Sequence, residues 1–197
     1  NLVLLKNNKI YNIKTKEITN LLSNKGILNS EIPLYSGLIE DKIINHIYFL
    51  PVNSKKTNLE SIDKRLDMLN LVLNNNMTSL NIYNYSDLGI FNYFVLEKIN
   101  KDKKITHIIM GSDLFLKFYT FTKYRDILKK YSLIIINRGN NLEKELEKYQ
   151  NYRDKIIIIN KTYSGSSTES RKCLKDQKSI YLDNKVLDYI KKNNLYN

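Results

Sequence analysis

Lys155-Ile156-Ile157-Ile158-Ile159-Asn160 is an apolar run, and Tyr163-Ser164-Gly165-Ser166-Ser167-Thr168-Glu169-Ser170-Arg171 follows it almost at once. Next comes a helix-like segment over 172–177. A strand, a small polar loop and a helix start with a cation one turn in are the parts with which a chain holds phosphate. The first turn of a helix has free N–H groups and a partial positive charge. Ser and Thr hydroxyls and an Arg fork complete such a cradle. Ser166 with Glu169 three residues on also has the form of a capping box, and locally that reading takes precedence. The rest of the chain raises the phosphate reading.

The chain has 197 residues, 42% of them hydrophobic, enough for one α/β domain with a sizeable core. No apolar run approaches the roughly 20 residues of a membrane-spanning helix, and no signal-peptide pattern is present. The single cysteine, Cys173, excludes an internal disulfide framework and a zinc cluster, which points to a reducing compartment. Lys and Arg total 32 against 20 acidic residues, a net charge of +12. Lys, Asn, Ile and Tyr dominate throughout, so an AT-rich coding bias explains part of this excess. A polyanionic partner, nucleic acid or nucleotide, is the other explanation, and the two carry equal weight. The chain begins with Asn1 rather than Met and reads as processed, trimmed or incomplete.

Residues 1–31 read as an N-terminal extension, with a short apolar stretch over 2–5 and no evident chemistry. Ile32-Pro33-Leu34-Tyr35-Ser36-Gly37 reads as a strand ending in a turn, and 38–45 as a brief helix. His46-Ile47-Tyr48-Phe49-Leu50-Pro51 reads as a buried strand stopped by proline. A polar loop with Lys55 and Lys56 follows. A helix is expected over 61–73 with Ser61 as its cap. Beyond it come a strand at 79–83, a helix at 87–100, a strand at 105–110, an aromatic-rich helix at 113–131, a strand at 132–137, a charged helix at 142–152, a strand at 155–160 and a final helix at 184–194. Short strands that are apolar throughout and alternate with helices predict an α/β fold with a parallel sheet covered on both faces. Ligands in such sheets bind at the carboxyl ends of the strands.

Several motifs in order resemble the nicotinate- or nicotinamide-mononucleotide adenylyltransferases, which have a Rossmann-like nucleotidyltransferase fold. The resemblance covers roughly residues 32–197, which form the corresponding α/β domain. His46 to Pro51, then Lys55-Lys56, then Arg65-Leu66-Asp67-Met68-Leu69 resembles the family's strand, lysine-bearing loop and Arg-x-x-Met helix. Ile108-Ile109-Met110-Gly111-Ser112-Asp113 resembles its Gly-x-Asp turn. Phe118 matches an aromatic position, and Phe121 stands where a tryptophan is usual. The run from Leu133 to Asn137 followed by Arg138 is similar to the next strand and arginine. Ser166-Ser167-Thr168-Glu169-Ser170-Arg171 resembles the Ser-Ser-Thr-x-x-Arg phosphate motif, and 186–196 the last helix. Each motif is weak alone, but five in order are a strong fold signal.

For a working enzyme the resemblance implies attack of a mononucleotide phosphate on the α-phosphorus of ATP, with Mg²⁺ and release of pyrophosphate. Arg171 with Ser166, Ser167 and Thr168 would hold the triphosphate, Asp113 a ribose, and Lys55 or Lys56 a phosphate. Gly111, Phe121 and Arg138 complete the family-matched positions. The family's opening Gly-Gly-Ser/Thr-Phe-Asp-Pro and its histidine motif have no counterpart here. Tyr35-Ser36-Gly37 resembles the start of that motif, which then stops. Only nine residues separate Gly37 from Ile47, where a parallel crossover needs about a dozen. The chain's two histidines, His46 and His107, sit at strand starts, the wrong end for ligand chemistry, and read as strand-edge residues. The hydroxyl-bearing start that the family carries on its next helix is also missing around Ile90-Phe91-Asn92.

Two expectations follow. The first is a catalytically degenerate nucleotidyltransferase-like protein with no cofactor, acting as a structural or RNA-contacting subunit. Its partners would be RNA or protein in a ribonucleoprotein assembly such as a mitochondrial ribosome, which makes the location mitochondrial. The alternative is an active mononucleotide adenylyltransferase using ATP and Mg²⁺, cytoplasmic, with a nucleotide ligand and a longer encoded chain that supplies the loop after Gly37.

Overall fold

The structure, a computed structural model, describes residues 2–6, 46–50, 60–73, 80–82, 92–137, 139–160 and 183–196. The expected strand at 32–37 and helix at 38–45 lie outside the described residues. The described elements are β1 Leu2–Lys6, β2 His46–Leu50, α1 Ile62–Leu73, β3 Leu80–Ile82, α2 Tyr93–Lys103 and β4 His107–Gly111. After them come α3 Ser112–Phe115, α4 Tyr124–Lys130, β5 Ser132–Asn137, α5 Glu143–Glu147, β6 Ile156–Asn160 and α6 Asn184–Lys192.

The strands form one sheet of order β3-β2-β1-β4-β5-β6. β4, β5 and β6 run parallel, with Ile109 opposite Ile134 and Ile134 opposite Ile157. β2 and β3 are also parallel. Both faces of β4–β6 are buried. Ile108, Met110, Leu133, Ile135 and Ile156 join the main core, while Ile109, Ile134, Ile136, Ile157 and Ile159 are buried on the opposite side. That is why these strands read as unbroken apolar runs and not as alternating ones. Helices α2 and α4 add Val95, Leu96, Ile99, Ile127 and Leu128 to the main core.

Leu2–Lys6, which the sequence leaves in an extension, is a strand inside the sheet. It pairs antiparallel with both β2 and β4, Val3 lying opposite Phe49 on one side and Ile109 on the other. The expected parallel sheet is therefore interrupted by one reversed strand. The physical reason is edge satisfaction: β2 and β4 each expose a row of N–H and C=O groups, and one short apolar strand pairs both rows.

The expected helix over 113–131 is three pieces: α3, a 3₁₀ turn at Phe118–Thr120, and α4. Phe115, Phe118, Phe121 and Tyr124 recur every three residues. Such a series drifts around an α-helix, whereas a 3₁₀ turn keeps it on one side. Here the rings gather around Tyr149, with Phe115 at 5.1 Å, Phe118 at 6.1 Å and Tyr124 at 6.0 Å between centroids. Lys123 adopts φ 56°, and its carbonyl accepts from the N–H groups of Asp126 (2.9 Å) and Ile127 (3.1 Å) to start α4. Beneath this cluster Glu145, a buried acid, accepts from Lys148 Nζ at 2.6 Å and the Tyr149 hydroxyl at 3.1 Å. Burial first, and then the Glu145 carboxylate, push the Tyr149 hydroxyl well above its ordinary pKa, so it stays a donor.

Asn92 caps α2, its Oδ1 accepting from Phe94 N (2.8 Å) and Val95 N (3.2 Å). The Asn92 amide is thus the N-cap of this helix. Asn92→Ala should destabilise the fold by about 1 kcal/mol in urea denaturation, and Asn92→Ser by much less. Equal losses for the two variants would show that the cap is not what matters at this position. The expected helix at 142–152 is α5 followed by 3₁₀ turns over Gln150–Lys155, kinked at Tyr152. Helices α1 and α6 pack together through Met68, Leu71, Val186 and Ile190, and the Tyr189 hydroxyl donates to Asp67 Oδ2 at 2.6 Å.

Candidate functional site at the carboxyl ends of the strands

The parallel strands end in polar residues. β4 finishes at Gly111 and passes directly into Ser112 and Asp113, β5 finishes at Asn137, and β6 at Asn160. Sheet register places Asn137 opposite Asn160. Asn137 Nδ2 donates to Asn160 Oδ1 (2.9 Å) and to the Asn140 carbonyl (3.0 Å), and its Oδ1 accepts from Asn140 N (2.9 Å). The fully buried Ser112 donates through Oγ to Asn140 Oδ1 at 3.2 Å. The turn that returns Asn140 to Asn137 passes through Gly139 at φ +92°, a conformation that favours glycine. The result is a fixed polar lattice across three strand ends. Among the described residues the Nδ2 donors of Asn140 and Asn160 are not consumed by it, and they suit ribose or phosphate oxygens.

Gly111 and Asp113, singled out from the sequence, stand on this rim, with Asp113 exposed in the first turn of α3. Phe121 is half-buried, its ring 5.3 Å from that of Phe118. Phe118 itself is a core residue, 1% exposed. Lys55, Lys56, Arg138, Ser166, Ser167, Thr168 and Arg171 lie outside the described residues, so the phosphate cradle is not part of the described rim. The sequence reading missed Ser112, Asn137, Asn140 and Asn160 as one group. Its available signal was the polar residue that closes each apolar strand.

Both histidines begin strands, as the sequence predicts. His107 is not at an edge, however. It is 4% exposed, on the interior strand β4, with Nδ1 2.9 Å from Thr106 Oγ1. Burial pushes its pKa down to about 4, so the ring is neutral. It lies at the amino end of β4, remote from the rim. A shallow concavity lined by Glu143, Leu146, Glu147, Gln150 and Arg153 is also off the rim, since Arg153 donates to Ile156 O at the start of β6 (3.0 Å). Its two carboxylates make it a poor phosphate site.

The reversed β1 bears directly on the rim. Leu2 pairs with Leu50, the last residue of β2, and Lys6 with His46, the first. β1 thus ends at Lys6 beside the amino ends of β2 and β4, the side of the sheet opposite Gly111 and Asn137.

A parallel three-stranded unit flanked by helices, with a Gly-x-Asp turn and polar strand ends, defines a Rossmann-like nucleotidyltransferase fold. Within that class the chain is similar to the nicotinate-nucleotide adenylyltransferases. It is 35% identical over 108 residues to a probable nicotinate-nucleotide adenylyltransferase of Caldicellulosiruptor bescii, a match covering 51% of this chain and 55% of that protein. The match thus spans little more than half of that relative. It is 28% identical over 151 residues to a probable nicotinate-nucleotide adenylyltransferase of Fusobacterium nucleatum, covering 71% of this chain and 75% of the relative. The fold is similar to that of Plasmodium falciparum nicotinic acid mononucleotide adenylyltransferase complexed with NaAD, with a TM-score of 0.64 at 21% identity over 82% of this chain and 89% of that one. No protein-family model matches the sequence. No described helix is long and apolar enough to cross a membrane.

Proposed function

We propose that this chain binds a pyridine mononucleotide and ATP at the carboxyl rim of β4–β6 and joins them as a nicotinate-nucleotide adenylyltransferase. The observation that carries this reading is the rim itself: the Gly111-Ser112-Asp113 turn and the Asn137–Asn140–Asn160 lattice sit where such folds hold nucleotides. In the reaction a phosphate oxygen of the mononucleotide attacks the α-phosphorus of ATP. The bond to the bridging oxygen breaks, and pyrophosphate leaves with its electron pair. Such transfer depends mainly on positioning and charge neutralisation. Asp113 would hold a ribose hydroxyl, and the Asn140 and Asn160 amides would orient sugar or phosphate oxygens. Arg171 with Ser166, Ser167 and Thr168, together with Lys55, Lys56 and Arg138, would neutralise the phosphates. Among the described residues no group of three acidic, histidine or cysteine side chains forms a metal cage. Mg²⁺ would come with the triphosphate, needing one or two carboxylates at most, and would supply charge neutralisation.

The direction of β1 favours a second reading, a chain that retains the nucleotide rim without turnover. In this fold class the loop after the central strand would approach the triphosphate from the other side. That reading carries the expected structural role among RNA or protein partners, in a mitochondrion or the cytoplasm. The named relatives favour the enzyme. Incubating the purified protein with nicotinate mononucleotide, ATP and Mg²⁺ decides between them. Formation of the dinucleotide with equimolar pyrophosphate is expected. Nucleotide binding with no product would leave the second reading standing in its place.

A further inference from the structure

Two lysines lie over the ring of Tyr93, and their charges are differently committed. Lys130 Nζ is 5.7 Å from the ring centroid, and Glu97 takes up its charge in an ion pair. Lys123 Nζ is 5.2 Å from the Tyr93 centroid and 4.8 Å from that of Phe94. Among the described residues Lys123 pairs with no carboxylate, and Phe94 is 59% exposed. The backbone of Lys123 is anchored as the cap of α4, two residues beyond Phe121. Tyr93 and Phe94 open α2, the helix leading from β3 into β4, and this places them towards the carboxyl ends of the parallel strands, where the Gly111 turn and Phe121 also lie.

An uncompensated ammonium beside part-exposed aromatic faces is complementary to a flat ring that bears a negative charge. We propose that Lys123 is a specificity-determining residue that pairs with a carboxylate on the ring of the mononucleotide and so favours the acid over the carboxamide. The inference rests on the adenylyltransferase reading. Acid and amide rings have nearly the same shape, so a charge-assisted bond is what separates them. Lys130 cannot supply it without giving up Glu97.

The test is calorimetric titration of the full chain with nicotinate mononucleotide and, separately, nicotinamide mononucleotide. The wild type should bind the acid about tenfold more tightly or better. Lys123→Asn, which tolerates the left-handed backbone, should lose that preference through weaker acid binding, with amide affinity held within about twofold. Lys123→Arg should retain the preference. A preference that survives in Lys123→Asn overturns the assignment, as does equal binding of the two nucleotides by the wild type. Failure of the wild type to bind either nucleotide removes the adenylyltransferase reading together with this inference.

Discussion

Phe115→Ala is expected to cost about 3–5 kcal/mol of stability, a large part of what a domain of this size possesses. The ring is fully buried in the four-residue helix that leaves the Gly111 turn, and it packs on Tyr149 at 5.1 Å. Removing it opens a cavity between two elements too short to collapse independently, α3 and the 3₁₀ turn after it. Urea unfolding should show a lower midpoint with an unchanged slope. Phe94→Ala is the control: that ring is 59% exposed, and its loss should stay within about 0.5 kcal/mol. A cost below about 1 kcal/mol for Phe115→Ala would contradict the aromatic cluster as the support of the rim. Because Ser112 and Asp113 belong to the same short helix, nucleotide affinity should fall along with stability.

Acid should weaken the fold through His107 before most carboxylates titrate. Its folded pKa, about 4, lies below the ordinary 6.5, because burial penalises the charged ring. As pH falls through 6.5 the unfolded chain takes up a proton that the folded chain refuses until about 4. The contribution is therefore complete above pH 6.5 and is lost progressively between 6.5 and 4, a change of about 3 kcal/mol. The groups nearest the ring in sequence and register are Thr106, Leu5 and Ser132, none of which ionises in this range. Glu97 adds a separate loss at lower pH. Burial raises its pKa, but the hydrogen bonds from Lys130 and Tyr131 outweigh that and hold the carboxyl below its ordinary value. His107→Gln should flatten the stability profile between pH 6.5 and 4 whatever its cost at neutral pH. An undiminished slope in that variant would place the titration elsewhere.

Much of this architecture is legible in the residues. The run from Ser132 to Asn137 is a strand with the expected bounds, because four consecutive apolar residues, Leu133 to Ile136, are buried on both faces. Ser61 stands before α1 as the expected cap, its Oγ accepting from Lys64 N at 3.4 Å, and the Gly-x-Asp turn falls at the end of β4. The aromatic-rich segment 113–131, expected as one helix, is α3, a 3₁₀ turn and α4. Tertiary packing around Tyr149 breaks it into turns.

Apolar runs alternating with helical segments determined by themselves an α/β fold built on parallel strands, and the order of the motifs gave its resemblance to a nucleotidyltransferase. The backbone's need to bury apolar strands on two faces admits few other arrangements of these runs. Tertiary structure decided the place and direction of β1. Leu2-Val3-Leu4-Leu5 has the same apolar character read either way, so direction is settled by the partners it pairs with, β2 and β4. Tertiary structure also decided that Asn137, Asn140 and Asn160 share one lattice, and that Lys123 rests on two rings from a distant helix. Hydrogen bonds and cation–aromatic contacts act over a few ångströms between residues far apart in the chain, and only the folded sheet brings those residues together.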